Sequence, residues 1–249
     1  MSFLSNTEHL KLLSNSEYEI LEFIIKSPSK VATMTIQELA TVTYVSTASI
    51  MRLCKKLGYS GFTELKYHLK TQQEPPIKSN NLSVMDMQQL ILSEVQQTNS
   101  FINQSTIDEV TNLLLSDKNI HFFAKGISAC VLNYFSKYLQ TCLRKNVEYV
   151  DTHIAYLNAN SMTENDVFIL CSLSGITAQV LKAAQIAKAN GATIIAFTKM
   201  NNNPLATLAD HCLYIPTSET IHKNFDVQSR LSNYYIVDLI IMNYLKELN

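Results

Sequence analysis

Residues 167–199, VFILCSLSGITAQVLKAAQIAKANGATIIAFTK, constrain this chain more than any other stretch. A short apolar run at 167–171 ends in the loop Ser172-Leu173-Ser174-Gly175. A helical pattern follows from about Ile176 to Asn190, Gly191 stops it, and a second apolar run fills 192–197. Two strands joined through a helix run parallel, and a parallel sheet needs helices on both faces. Upstream, Asn119–Ala124 (NIHFFA) reads as a buried strand. It leads through Lys125-Gly126-Ile127-Ser128 into a helix with Val131, Phe135, Tyr138, Leu139 and Cys142 on one stripe. Pro204–Asp210 reads as a short helix and Cys212–Ile215 as a further strand. The second half of the chain is therefore an α/β domain.

The first part is of another kind. Before the polar stretch Thr71–Ser83, whose Pro75-Pro76 pair ends any helix, apolar residues recur at helical spacing. The expected organisation is a helical domain at 1–77, a linker with a connecting helix (Met85–Phe101) at 78–105, and the α/β domain at 106–249.

Charge sharpens the reading of the helical part. The chain carries 20 Lys+Arg against 21 Asp+Glu, which excludes a chain-wide basic coat. Yet between Arg52 and Lys70 stand Arg52, Lys55, Lys56, Lys66 and Lys70 against Glu64 alone. A lysine cluster by itself is usually a solvated helix face; position decides. Thr35-x-x-Glu38 is a capping box that starts one helix, with Leu39, Ala40 and Thr43 inward. Ser46 is an N-cap opening a second, whose inner stripe is Ile50, Leu53, Cys54 and Leu57 and which ends at Gly58. Two helices so spaced, with small Ala40 at the crossing, form a helix-turn-helix whose second helix enters the major groove by its first turns. Arg52 can contact guanine bidentately, and Thr47 and Ser49, beside Ser46, can read base edges. Lys55, Lys56 and Lys66 suit phosphates. The bland alternative is a pair of packed helices with a basic face.

The α/β half has two strand-to-helix loops bearing Gly and hydroxyls, around Gly126 and around Gly175. Such loops place N–H groups and hydroxyls at a helix N-terminus, which suits a phosphate anion. Ser172, Ser174 and Thr177 can each donate a hydrogen bond. Neither loop is a GxGxxG or a GxxxxGK[ST] nucleotide fingerprint. The bland alternative is that the hydroxyls merely cap helices. Glycine is scarce, five where average usage gives about 17. Gly58, Gly61, Gly126, Gly175 and Gly191 thus read as positions that tolerate no Cβ.

On these residues the chain resembles the RpiR-type bacterial transcription regulators. The N-terminal match is LSNSEYEILEFIIKSP…MTIQELATVTYVSTASIMRLCKKLGYSGFTELK. Tyr44 departs from it, standing where the turn often has Gly; a left-handed Tyr costs about 1 kcal/mol, which favours another turn conformation. Residues 106–249, through Ser172-x-Ser174-Gly175-x-Thr177, AxxAKANGAxxIAFT and Pro204–Asp210, are similar to the sugar isomerase (SIS) domain. That resemblance implies that Ser128, Ser172, Ser174 and Thr177 hold a sugar phosphate, with Gly126 and Gly175 opening the loops. Ala124 and Lys125 depart from the family pattern, and Lys125 is either a phosphate ligand or a residue that narrows the pocket. SRLSNYYIVDLIIMNYL resembles the family's closing helix; apolar nearly all round, it should be buried, at a subunit interface.

The N-terminus is no signal peptide, and no apolar run reaches the roughly 18 residues of a membrane helix. The five cysteines are scattered without a CxxC, as in reduced cytoplasmic proteins without a structural zinc. The expectation is a cytoplasmic, non-enzymatic regulator of sugar metabolism genes. It binds double-stranded operator DNA, senses a sugar phosphate, needs no cofactor or metal, and assembles as a homodimer or homotetramer. The rival is a phosphosugar isomerase, for which Glu148, Glu219, His153 and His222 are base candidates by type alone. A phosphosugar sensor that binds a protein instead of DNA is a third reading, against which the basic face of Arg52–Lys56 speaks.

Overall fold

A computed structural model describes residues 13–57, 59, 61–71, 83–200, 203–216, 221–222, 225–226 and 228–248. Gly58, Glu219 and the boundary residues 72–82 lie outside them. The chain divides into two compact units, Met1–Lys78 and Ser79–Asn249.

The described part of the first unit is helical throughout: α1 (Asn15–Lys26), α2 (Pro28–Thr33), α3 (Ile36–Val42), α4 (Thr47–Lys56) and α5 (Phe62–Thr71). Local chemistry sets the helix starts. Ser14 and Glu17 form a reciprocal capping box on α1, Pro28 opens α2 where its missing N–H is harmless, and Thr35 and Glu38 form the box on α3. One apolar cluster of Ile20, Leu21, Ile24, Val31, Leu39, Ile50, Leu53, Cys54, Phe62, Leu65 and Leu69 closes the unit. It includes the inner stripe expected of α4, with Leu57 and Ala40 partly buried against it.

The second unit begins with α6 (Val84–Phe101), the helix expected as a connector, and α7 (Gln104–Leu115); both pack on the last helix, α12 (Leu231–Leu248). Five parallel strands follow: β1 (Asn119–Ala124), β2 (Val147–Tyr149), β3 (Asp166–Cys171), β4 (Thr193–Lys199) and β5 (His211–Ile215), in the order β2-β1-β3-β4-β5. The helices between them are α8 (Ser128–Thr141), α9 (Thr152–Ser161), α10 (Ala178–Ala189) and α11 (Pro204–Leu208). A short antiparallel pair, β6 (Ile221–His222) and β7 (Phe225–Asp226), precedes α12.

The alternation of side chains along a strand sends successive residues to opposite faces, so the sheet makes two cores. Ile120, Phe122, Val167, Ile169, Ile195 and Phe197 pack with α7, α8 and α12 on one face. Phe123, Phe168, Leu170, Ile194 and Ala196 pack with α9, α10 and α11 on the other. Phe168 and Ile169 are both fully buried, as a two-sided sheet requires. The sequence expectation omitted α7, β2 and α9. In α12, Ile236, Val237, Ile240, Ile241 and Tyr244 are buried within the chain, while Leu231, Met242 and Leu245 of the same segment are exposed.

Candidate functional site

In the first unit, Ser46 caps α4 by accepting from the Ser49 N–H (3.2 Å), and Val45 N–H closes the turn on the Ala40 carbonyl (3.0 Å). Tyr44, between α3 and α4, has φ +54°. The turn thus keeps the left-handed residue that the Tyr was expected to disfavour. The three surrounding backbone hydrogen bonds, Thr43 to Leu39, Tyr44 to Thr41 and Val45 to Ala40, over-determine it against a strain of about 1–2 kcal/mol.

The outward residues of α4 divide by commitment. Ser46, Thr47, Arg52, Lys55 and Lys56 are exposed and Ser49 is half-buried. The Ser49 hydroxyl lies 3.0 Å from that of Ser46 and accepts from the Arg52 guanidinium at 3.1 Å, so Arg52 is propped along the first turns of the helix. Lys56 pairs with Glu17 of α1 at 2.7 Å, and this hydrogen bond, with that from the Ser14 backbone, holds the Glu17 carboxyl below its ordinary range. Lys66 donates to the Met34 carbonyl at 2.6 Å and stands 5.7 Å from the Phe62 ring centre. Arg52 and Lys55 therefore face solvent from α4, whereas Lys56 and Lys66 also brace the unit.

In the second unit the strand order reverses between β1 and β3, which are hydrogen-bonded neighbours through Ala124 and Cys171. The loops after these two strands are the ones the sequence singled out. Ligands in open α/β sheets bind beyond the carboxyl ends of the strands at such a switch point.

The loop after β3 is held from below and from one side. Ser172 N–H bonds the Phe197 carbonyl (3.0 Å), Lys199 N–H bonds the Leu173 carbonyl (3.0 Å), and Leu205 N–H bonds the Gly175 carbonyl (3.2 Å). Gly175 has φ +64°, and a Cβ there would lie 1.9 Å from Oδ1 of Asn203. Asn203 is buried; its Oδ1 accepts from Ala206 N–H (2.9 Å) and its Nδ2 donates to the Lys199 carbonyl (3.1 Å). The close approach at Gly175 is thus to the chain's own Asn203. At Gly126, φ is +59° and, among the described residues beyond its chain neighbours, no atom lies within 4 Å of where a Cβ would stand. There the backbone conformation, not crowding by the fold, asks for glycine.

Three hydroxyls converge in this loop. Buried Ser172 lies 2.8 Å from Thr177 Oγ1 and 3.5 Å from Ser174 Oγ. Thr177 is the N-cap of α10 but its side chain makes no cap hydrogen bond, and its extended backbone starts the helix at Ala178, two residues later than the sequence pattern suggested. The Thr177 hydroxyl therefore does not cap this helix, while the Ser174 hydroxyl accepts from the Ile176 N–H just before it (3.4 Å). The first N–H groups of α10 have no partner within the helix by its geometry, and they point where the dipole favours an anion. The start of α8 differs: Ala129 N–H bonds Gly126 and Cys130 N–H bonds Ile127, so two of its early donors are spent in the turn.

Ser128 nevertheless joins the constellation. It is buried and hydrogen-bonded to the Cys171 thiol, which burial pushes up to about 12 despite that bond. Ser128 thereby sits against the residue that precedes Ser172. Lys125 donates to the Val150 carbonyl (3.3 Å), beyond β2. Of the base candidates, Glu148 accepts from Asn133 (2.8 Å), His153 is exposed, and the side chains of Glu219 and His222 lie outside the described residues. Sequence reasoning missed Asn203; an Asn directly before the helix-opening Pro204 is the N-cap signal that could have found it. Among the described residues no group of three His, Cys, Asp or Glu is placed to hold a metal, and no helix is long and apolar enough to cross a membrane.

Comparison with known proteins agrees with this division. Residues 5–76 match the helix-turn-helix domain of the rpiR family, and residues 113–242 match the SIS domain. An uncharacterised HTH-type transcriptional regulator of Caldanaerobacter subterraneus is 27% identical over 241 residues, 91% of this chain and 84% of that one. The HTH-type transcriptional regulator RpiR of Escherichia coli is 26% identical over 242 residues, 93% of this chain and 81% of that one. The solved structure of the Vibrio vulnificus NanR protein complexed with ManNAc-6P has a TM-score of 0.61 at 22% identity, covering 98% of this chain and 91% of that one. Helix-turn-helix in the first unit and SIS fold in the second, in that order on one polypeptide, make this chain a member of the RpiR family of transcriptional regulators.

Proposed function

We propose that this regulator binds double-stranded operator DNA through α4 and binds a sugar phosphate between the loops after β1 and β3, the phosphate resting on Ser172, Ser174, Thr177 and the first N–H groups of α10. Ser128 and the left-handed Gly126 complete the pocket from β1. The observation that carries the reading is the switch point itself: two hydroxyl-bearing loops end adjacent strands, and α10 begins without a side-chain cap. The phosphorylated sugar bound by the neighbouring NanR is of the same chemical class.

On α4, Arg52 reads a guanine edge with Thr47 and Ser49 beside it, Lys55 neutralises phosphate, and Lys56 and Lys66 do so while bracing α1 and the α2–α3 connection. The effector alters transcription only to the extent that it binds the DNA-competent and DNA-incompetent states unequally. Exposed apolar residues on α12, Met242 and Leu248, suit a homodimer or homotetramer, and a paired chain would read half-sites about 34–36 Å apart. A regulator of this kind works in the cytoplasm, on genes of sugar metabolism.

The test is a thermal-shift panel of hexose, pentose and amino-sugar phosphates. One of them should stabilise the protein by RT ln(1 + [L]/Kd), about 2.7 kcal/mol at a hundredfold excess over Kd. Ser174→Ala should weaken that response while leaving the unliganded melting curve in place. A Ser174→Ala protein that answers every phosphosugar as the parent does would place the pocket elsewhere. Sustained turnover of one of these sugars by the purified protein would favour the isomerase reading instead.

A further inference from the structure

The turn before α4 holds a residue that folding alone does not select. Tyr44 is in the left-handed region at φ +54°, where a side chain is strained and glycine is not. Packing does not hold it there, because Tyr44 is 96% exposed and the apolar anchor of the turn is its neighbour Val45. The backbone hydrogen bonds that close the turn ask nothing of the Tyr44 side chain. Strain at a fully solvated aromatic residue is the kind of outlier that points to function.

Its place says which function. Tyr44 precedes Ser46 and Thr47, both exposed at the start of α4. When a helix enters the major groove by its first turn, the segment leading into it crosses the sugar-phosphate wall of that groove. A tyrosine hydroxyl is a neutral donor to phosphate oxygen, and such contacts fix register without reading sequence. We propose that Tyr44 is a DNA-backbone anchor, its hydroxyl donating to a phosphate that flanks the groove and so seating α4. This rests on the DNA-binding reading above and adds a contact outside the recognition helix.

The experiment uses the full chain and a duplex that it selects from a random-sequence library, with binding followed by fluorescence anisotropy. Tyr44→Phe keeps ring and strain and loses only the hydroxyl. It should weaken binding about tenfold, as loss of a hydrogen bond to a charged group does. Sequence preference should be unchanged, and so should the salt dependence, since a neutral donor releases no counterion. Tyr44→Gly should bind at least as weakly as Tyr44→Phe while the first unit melts a few degrees higher, strain having been relieved. Tyr44→Phe binding as tightly as the parent overturns the proposal. Arg52→Ala, run in parallel, separates the two readings. If it relaxes base preference while Tyr44→Phe changes nothing, only the anchor falls. If the parent selects no duplex, the DNA-binding reading fails and the anchor with it.

Discussion

A methyl group separates Gly175 from alanine, and the loop after β3 has no place for it. Its left-handed φ penalises any Cβ, and the Asn203 carboxamide occupies the space where that Cβ would go. Gly175→Ala should therefore destabilise the second unit by about 2 kcal/mol or more, read by denaturant unfolding. Adding Asn203→Ala should cost less than the sum of the two single changes, because the carboxamide contacts are then gone and only the Cβ of residue 203, 2.7 Å from the new methyl, remains. A fully additive pair would mean that the loop relaxes some other way. The glycine was legible in the sequence as a position that tolerates no side chain; its reason was not. Room for a phosphate was the reading from SxSGxT, whereas the atoms crowding the position belong to a residue 28 places later, brought there by β4 and α11. Local pattern shows that a position is restricted; only the tertiary path shows by what. Tyr44 teaches the converse, since a local energy rule argued against the turn that the surrounding hydrogen bonds impose.

At the scale of elements, strong periodicity and caps carried most of the information. The helix-turn-helix was readable because Thr35, Glu38 and Ser46 announce two helix starts within the chemistry of a few residues, and the structure has both caps. Ser46→Ala should accordingly destabilise the first unit by about 1 kcal/mol and weaken DNA binding. A thermal melt of that variant indistinguishable from the parent would deny the cap its role. The second unit was legible where strands are long and mostly buried, at β1, β3 and β4. It was silent at β2, three residues on the sheet edge, and at α9, whose small and polar residues THIAYLNANS show almost no apolar stripe. Those two elements are fixed by what they lie against. For β2, His121 of β1 shows how: its Nδ1 meets the Tyr149 hydroxyl at 2.8 Å while its Nε2 meets Asp166 of β3 at 2.9 Å.

For the molecule as a whole, the two units answer acid through different carboxylates. In the first, Lys56 and Ser14 lower Glu17. In the second, burial pushes Asp166 up but is outweighed by hydrogen bonds from Thr163, His121 and Asn119, which leave it below its ordinary value. A carboxyl lowered on folding contributes stability that is fully present above its unfolded value, about 3.9 for Asp, and is lost as pH falls through the lower folded one. Both units should lose stability in that acid window and neither between pH 6 and 8 on this account. Asp166→Asn should flatten the acid limb of the second unit alone; an unchanged limb would mean that other groups set it.

The Leu205 N–H on the Gly175 carbonyl, with Asn203 filling the space where a Gly175 Cβ would stand, has a consequence in time. The hydroxyls of Ser172 and Thr177 already touch, so on the reading proposed above an effector that binds at this loop finds these donors in place. In stopped-flow mixing, the observed rate should then rise linearly with effector concentration and show no plateau. The regulator would register a falling sugar-phosphate level as fast as the molecule dissociates, its memory of the last meal being one residence time long.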